Sequence, residues 1–582
     1  MTKLHIRFYR FNAFFAIFLL LILVGGAGLA QAAAGKICPT VYPQAVFVPL
    51  DDRPSTKLFP TQIARIAGGQ LLVPGKTEIG NASTAGHPEA LATWLLGQAE
   101  TGRRDYIISS DMLAYGGLWN SRKTGISQEQ ALARIQFLRQ LRPQAGKIMV
   151  YSTLPRLDLG TSPQAEPHQQ ALTNWAAQAS YANLKYKATV PQAISEEYMG
   201  VRRRNVRIIL SLIDLVEEGV IDKLVIGQDD SHKTGLNIEE QAQVNYCISK
   251  NNLQNKVTLM NGADELGMCM VAGWLSNCWN CHPRFQVVYS DPAAALEIPK
   301  LESRPVHETV AKHAAVCGAY LEPERKTGGK GDIPLIWMFT QSDKPYAGSS
   351  GESDEALSQR ATEMKAVLNY YLRKGRRLGI ADTRLINQAD PVLATQVLDN
   401  ADIWSLEGYA AWNTPSNTIG TILAQMTAYE IFRQRGSQWD QLHKVESAKT
   451  QIAFTWARLL DDYAYQALIR PTLSAEAKNL PRNPDPLLNV YGGLGMNARQ
   501  STIKWAEEIW QGKLKGHSFS CPHLGYPLCF DSYRLEVVLP WQRVFEIEAR
   551  LDVRLHIMTA SEAKEYRAQQ EALTKQVRRK GD

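Results

Sequence analysis

The sequence predicts an α/β protein built on a parallel sheet, and three observations carry that expectation. Nine short runs rich in apolar and β-branched residues recur between Ala45 and Ala381. Stretches of helical periodicity separate them, and a polar loop, usually acidic, follows most of them. Runs that are apolar on both faces and alternate with helices belong to strands covered on two sides. A (β/α) barrel-like domain is the expected arrangement, with an open doubly wound sheet as the alternative. Nine runs is one more than a barrel needs, and the segment from Pro292 to Pro334 is long and irregular.

In chain order, the first 32 residues read as a signal peptide. Lys3, Arg7 and Arg10 precede an apolar run from Phe14 to Val24, and Ala30-Gln31-Ala32 supplies the small residues of a cleavage site. Cleavage after Ala32 implies an exported protein, periplasmic or secreted. The alternative is an uncleaved anchor, since apolar and small residues from Phe11 to Ala30 are long enough to span a bilayer. In that case the segment is also the chain's only expected contact with a membrane.

The α/β domain is expected over residues 40–435, with 292–334 as the place where it would divide into two subdomains. Its strands are Ala45 to Leu50, Gln70 to Val73, Asp105 to Ser109, Lys147 to Ser152, Lys223 to Gly227, Lys256 to Met260, Phe285 to Tyr289, Leu335 to Phe339 and Leu378 to Ala381. One covering helix is expected from about Val201 to Glu218. Ile208, Ile209, Leu212 and Leu215 recur there at helical spacing, and Gly219 follows as a stop. After about Arg435 the pattern changes. Longer helical stretches, Tyr491-Gly492-Gly493-Leu494-Gly495, and alternation in Arg534 to Val538 and Val544 to Ala549 suggest a C-terminal α+β domain over 436–582 that ends in a charged helix.

Composition excludes some functions. A content of 45% hydrophobic residues marks a globular chain. Removing residues 1–32 takes away three basic residues and no acidic one, so the net charge falls from +7 to +4. Nucleic-acid binders gather their charge on one face, whereas these basic residues are dispersed. The densest groups, Arg202, Arg203, Arg204 and Arg207 and the tail Arg578, Arg579 and Lys580, read as a solvated helix face and a frayed end. All 8 cysteines lie beyond residue 32, and an oxidising compartment would permit disulfides among them.

The ends of the strands are where chemistry is expected. Leu50 leads into Asp51-Asp52-Arg53, Ser109 into Ser110-Asp111, Gly227 into Gln228-Asp229-Asp230-Ser231-His232, and Met260 into Asn261-Gly262-Ala263-Asp264-Glu265. Tyr289 leads into Ser290-Asp291, Phe339 is followed by Gln341-Ser342-Asp343, and Ile380 by Asp382. In a parallel α/β fold the carboxyl ends of the strands share one edge, so these acids would surround one crevice. Single acids such as Asp291 and Asp343 also suit helix caps. Doubled acids do not, because two like charges in contact need a cation, a substrate or a proton.

The doublet Asp229-Asp230 therefore ranks first as catalytic, Asp51-Asp52 second and Asp264-Glu265 third. A desolvated aspartate beside another carboxylate would hold its proton to higher pH and act as an acid, with His232 and Lys233 near enough to tune it. Arg53 and Arg122 would clamp a polyhydroxylated or anionic substrate, or else pair with the acids. Asp111 and Tyr115, the latter near Trp119 and Asn120, and Trp412-Asn413 near Asn417, join aromatic faces to polar groups as sugar sites do.

Cys278-Trp279-Asn280-Cys281-His282 fits the attachment pattern of c-type haem. It falls, however, in a short connection on the edge opposite the acids, so no cofactor is expected there. No Walker phosphate loop and no Gly-x-Ser-x-Gly elbow is present.

Several of these stretches together resemble the bacterial DUF4127 family. They are Val48-Pro49-Leu50-Asp51-Asp52-Arg53-Pro54, Ser110-Asp111-Met112-Leu113-Ala114-Tyr115-Gly116-Gly117, Ile226-Gly227-Gln228-Asp229-Asp230, Gly262-Ala263-Asp264-Glu265 and Trp412-Asn413-Thr414. The resemblance spans nearly the whole chain beyond residue 32 and carries no catalytic assignment. The doublet Asp229-Asp230 alone is also similar to barrel glycosidases of the N-acetylhexosaminidase type. In those enzymes neighbouring acids donate a proton and orient the acetamido group of the substrate.

Three functions are expected in order. The first is an exported hydrolase of a glycan or glycoconjugate, with Asp229 and Asp230 as acid/base and orienter and a carbohydrate or small molecule as substrate. The second is a hydrolase in which Asp51, Asp52, Asp229, Asp230 and His232 hold a divalent metal. The third is a non-catalytic carbohydrate-binding envelope protein.

Overall fold

All nine predicted runs are strands in the computed structural model, which describes residues 40–81, 84–182, 184, 190–323, 333–340, 353–479, 493–541, 543–566 and 568. The signal segment, Asp343, Tyr491-Gly492 and the basic tail Arg578 to Lys580 lie outside the described residues. Among the described residues no helix is long and apolar enough to cross a membrane.

The strands divide between two parallel sheets. The first sheet contains β1 (Gln44–Val48), β2 (Gln70–Leu72), β3 (Asp105–Ser109), β4 (Ile148–Leu154), β5 (Lys223–Gln228) and β6 (Val257–Asn261). Their order is β2-β1-β3-β4-β5-β6, with every pairing parallel. The second contains β7 (Arg284–Tyr289), β8 (Tyr320–Glu322), β9 (Leu335–Phe339), β10 (Leu378–Asp382) and β11 (Gly408–Ala410). Its order is β11-β10-β9-β7-β8, again parallel throughout. In both sheets the second strand lies on one side of the first and the third on the other. Among the described residues no pairing joins the two sheets into a closed barrel.

The near-continuous apolar character of the strands follows from burial on both faces. Val46, Val48, Ile108, Val150, Leu224 and Ile226 enter one core cluster, while the alternate residues Phe47, Ile107, Met149 and Val225 enter another. The helix Gln192–Glu217 covers the first of these faces with Ile208, Ile209, Leu212 and Leu215, as their spacing predicts. Its basic residues depart from expectation. Arg203 and Arg207 are exposed, but Arg202 and Arg204 are buried. Arg202 forks onto Glu240 through Nε at 2.8 Å and Nη2 at 2.5 Å, and its Nη1 donates to the Arg156 carbonyl at 2.7 Å. A guanidinium can be buried when a carboxylate and backbone carbonyls satisfy it, so this row is not a solvated face.

Beyond the second sheet, the helices Pro415–Arg435 and Gln441–Arg458 lead into a wide-turned π-helix, Leu459–Ile469. A small antiparallel sheet follows, made of β12 (Ser518–Phe519), β13 (Leu528–Val538) and β14 (Glu548–Ile557). Ile336, Ile380, Ile422, Trp456, Phe530 and Val553 belong to one apolar cluster, so the second sheet and these C-terminal elements share a core. The described residues from Tyr42 onward form one compact unit.

Candidate active site

A crevice opens where neighbouring connections of a doubly wound sheet diverge to opposite faces. In the first sheet that point lies between the carboxyl ends of β1 and β3. A pocket of about 280 Å³ is found on this edge. The β1 loop contributes Arg53, and the chain after β3 contributes Trp119 and Arg122. Arg156 follows β4, Asp229 and Asp230 follow β5, and Gly262 to Asp264 follow β6. The opposite wall comes from Leu301, from Asn387 after β10, from Asn413, Thr414, Ser416 and Asn417 after β11, and from Trp541, Arg543 and Phe545 in the connection between β13 and β14.

Each aspartate on this wall is paired with an arginine. Arg122 Nη2 donates to Asp229 Oδ2 at 2.6 Å, and Asp229 Oδ1 accepts the Asp230 amide at 3.0 Å. Asp230 forms an ion pair with Arg156. Arg53 bridges two carboxylates. Its Nη1 and Nη2 reach Asp264 at 2.9 and 2.6 Å, while Nε and Nη2 reach Asp51 at 3.0 and 2.8 Å. In the doublet Asp229-Asp230 each carboxylate thus faces its own guanidinium, which offsets the repulsion between them.

These partners push the two acids in opposite directions. Burial tends to raise the Asp229 carboxyl, but Arg122, Arg156 and Arg53 together hold it below the usual range. Asp264 is raised, first by burial and then by Asp51 and Asp229, because Arg53 must serve both Asp51 and Asp264. The rise expected at Asp229 therefore does not occur. Two neighbouring carboxyls are pushed up to about 7, each chiefly by burial. Glu302 accepts the Ser416 amide at 2.9 Å, and Asp111 accepts the Thr153 amide at 3.0 Å.

Backbone strain also gathers here. Leu301, Asn387 and Asn413 have φ of 67°, 65° and 68°, three of the six non-glycine residues with positive φ among the described residues. A side chain held in that region costs about 1–3 kcal/mol, which the surrounding structure must offset, and such residues cluster at functional sites. For a γ-branched leucine the left-handed backbone is especially unusual.

The aromatic part of the pocket is a ladder. The Arg53 and Arg543 guanidinium groups lie over the Trp541 ring at 5.0 and 4.8 Å from its centre. Arg543 and Arg470 lie over Phe545 at 5.0 and 5.4 Å. Asp52 Oδ1 accepts the Trp541 indole N–H at 2.7 Å. The π-helix fixes the same connection, since Tyr465 and Gln466 donate to the Val544 and Phe545 carbonyls at 2.8 and 3.0 Å.

A family model describing a protein of unknown function, DUF4127, matches residues 45–550. The chain belongs to the DUF4127 family. No curated protein and no solved structure matches it.

Of the residues that sequence assigned to the site of this DUF4127 chain, Arg53, Trp119, Arg122, Asp229, Asp230, Asp264, Asn413 and Asn417 meet at the pocket. The others do not line it. Asp51 and Asp52 stand behind it, on Arg53 and Trp541 respectively. Asp111 is buried against Thr153. Tyr115 is buried with the Arg204 guanidinium over its ring at 4.7 Å. Glu265 is fully buried, with Oε1 2.9 Å from His313 Nε2. Trp412 is buried and packs on Phe545 at 6.1 Å. His232 is exposed, bonded to Thr234 at 2.9 Å, and Lys233 is exposed beside it, so neither tunes the doublet.

Sequence reasoning missed Arg156, although it follows the β4 run as directly as the other candidates follow theirs. It also missed Trp541, Arg543 and Phe545, for which a hairpin connection offers no sequence signal. Among the described residues no group of three or more His, Cys, Asp or Glu is placed to hold a metal ion. Cys278 ends the helix Leu266–Cys278 and Cys281 follows it; Trp274 in that helix donates to Asp105, the first residue of β3, at 2.9 Å. Cys281 is buried and bonded to Gln434, and His282 Nδ1 lies 3.0 Å from Ser276 Oγ.

Proposed function

We propose that this pocket is the active site of an exported hydrolase acting on a glycan or glycoconjugate, with Asp264 as proton donor and Asp229 as the ionised carboxylate. The observation that carries the proposal is the opposite displacement of two carboxyls lining one pocket, Asp229 downward and Asp264 upward. Acid and base roles in one site belong to groups whose surroundings separate them in this way. In glycoside hydrolysis a protonated carboxyl gives its proton to the leaving oxygen while a second, ionised carboxyl attacks the sugar or deprotonates water. The proton-donor role thus moves from the doublet to Asp264, and Asp230 with Arg156 orients the substrate. A volume of about 280 Å³ lies at the small end for ligand pockets, suited to one sugar unit rather than a chain. Export is inferred from the charged, apolar and small-residue pattern of residues 1–32.

The test is turnover of aryl glycosides and bacterial glycans by the purified protein across pH. Activity should be greatest at acidic pH, where Asp229 is ionised and Asp264 is still protonated. Asp264→Asn should lower kcat about 10²- to 10⁴-fold on substrates with poor leaving groups, and far less on nitrophenyl glycosides, whose leaving oxygen needs little protonation. Asp229→Asn should remove activity on both kinds. An Asp264→Asn enzyme with wild-type rates on poor leaving groups overturns the assignment, and turnover abolished by a chelator moves it to a metal-dependent hydrolase.

A further inference from the structure

We infer that the sugar accepted by this pocket carries an oxyanion, a carboxylate as in a hexuronate residue, received by Arg156 and Arg543 beside Arg122; the inference rests on the reading of the pocket as a glycan site. The pocket holds unfilled hydrogen-bonding capacity, and it lies on the donor side. A guanidinium has five donors and a carboxylate accepts only. Among the described residues, Asp229 Oδ2, Asp229 Oδ1 and both oxygens of Asp264 already accept bonds from within the protein. Asp230 Oδ2 is taken by Arg156, which leaves Asp230 Oδ1 as the pocket's one unbonded carboxylate oxygen.

The donors are not exhausted in the same way. Arg122 bonds through Nη2 alone, Arg156 through Nη2 alone, and Arg543 through Nε and Nη2 to Glu546 at 3.2 and 2.6 Å. Each keeps an Nη1 group, with two N–H bonds, free of any protein partner among the described residues. The three guanidinium groups line one cavity, which keeps them close, and Arg156 is destabilised by burial and then by the charge of Arg122. Formal charges nearly cancel, yet what remains to be satisfied is rich in donors. A ligand that completes the site must bring acceptors, and a carboxylate matches the fork of a guanidinium. Asn387, Asn413 and Asn417 on the facing wall supply amide groups for the ring hydroxyls.

Direct binding tests this apart from catalysis. Glucuronate and glucose are titrated into the full chain by calorimetry, with inorganic phosphate as a third probe. Glucuronate should bind at least about tenfold tighter than glucose. Arg156→Gln and Arg543→Gln should each weaken it about tenfold to a hundredfold and weaken glucose by a smaller factor, so that the preference for glucuronate falls. Arg156→Lys, which keeps the charge and loses the fork, should fall between, and unfolding midpoints near wild type confirm that each variant is folded. Equal affinity for the two sugars overturns the inference, as does phosphate binding as tightly as glucuronate, since the ring then contributes nothing. Glucuronate binding without turnover of any glycoside sinks the hydrolase and leaves the oxyanion site standing. Turnover of neutral glycosides with no preference for uronides does the reverse.

Discussion

Replacing Asp111 by asparagine should make the protein more stable at neutral pH and leave it unchanged in acid. Asp111 follows β3, is 2% exposed, and among the described residues its carboxylate is hydrogen-bonded by Thr153, whose amide donates to Oδ2 at 3.0 Å and whose Oγ1 lies 2.9 Å from Oδ1. Burial raises its carboxyl from 3.8 to about 7, opposed by the Thr153 bonds and assisted by the charge of Asp229. The unfolded chain releases this proton near 3.8, whereas the folded chain keeps it until about 7. Between those values the folded state binds more protons, so this residue makes stability fall as pH rises. A displacement of that size corresponds to about 4 kcal/mol once both states are ionised. Asparagine reproduces the protonated form, because its NH₂ can donate to Thr153 Oγ1 while its oxygen still accepts the Thr153 amide. Urea unfolding followed by tryptophan fluorescence should give matching stabilities near pH 4, and an advantage for Asp111→Asn approaching about 4 kcal/mol above pH 8. Other raised carboxyls, such as Glu302 and Asp462, act equally in both proteins and cancel from the difference. Parallel curves at every pH, or a less stable variant at pH 8, would refute the reasoning.

Three further substitutions probe how the pocket is held. Gly262 has φ of 107°, and a Cβ there would lie 1.6 Å from Glu265 Oε1, so Gly262→Ala should cost on the order of 3 kcal/mol by chemical unfolding. Arg202 links Glu240 to the backbone that presents Arg156. Arg202→Met should strand a buried carboxylate, with a loss of about 3–5 kcal/mol by thermal or urea unfolding. Asp52→Ala removes the acceptor of the Trp541 indole at an estimated cost of about 1–3 kcal/mol, and should weaken sugar binding in calorimetry more than it lowers the melting temperature.

Much of the fold was legible because its signals are local. Strands β3 and β9 have the bounds that the apolar runs predict, and the other seven differ by one or two residues at an end. A strand buried on two faces must be apolar along its length, whatever it packs against. Among the described strands, β8, β11 and β12 escaped notice because, at two or three residues each, they are too short to carry a pattern. The position of the acids at strand ends was equally visible, because parallel connectivity puts those ends on one edge. The division into two sheets was not, since each run reads alike in either.

What the sequence alone determined was the parallel α/β class and the presence of acids at one edge of its sheets. Tertiary structure decided what those acids are. Arg122 reaches Asp229 across 107 residues, Arg53 reaches Asp264 across 211, and Trp541 reaches Asp52 across 489. Such contacts leave no trace in periodicity, yet they separate an ionised carboxylate from a raised one and a lining residue from a supporting one. Apolar pattern is a property of neighbours in the chain, whereas the charge state of a buried group is set by neighbours in space.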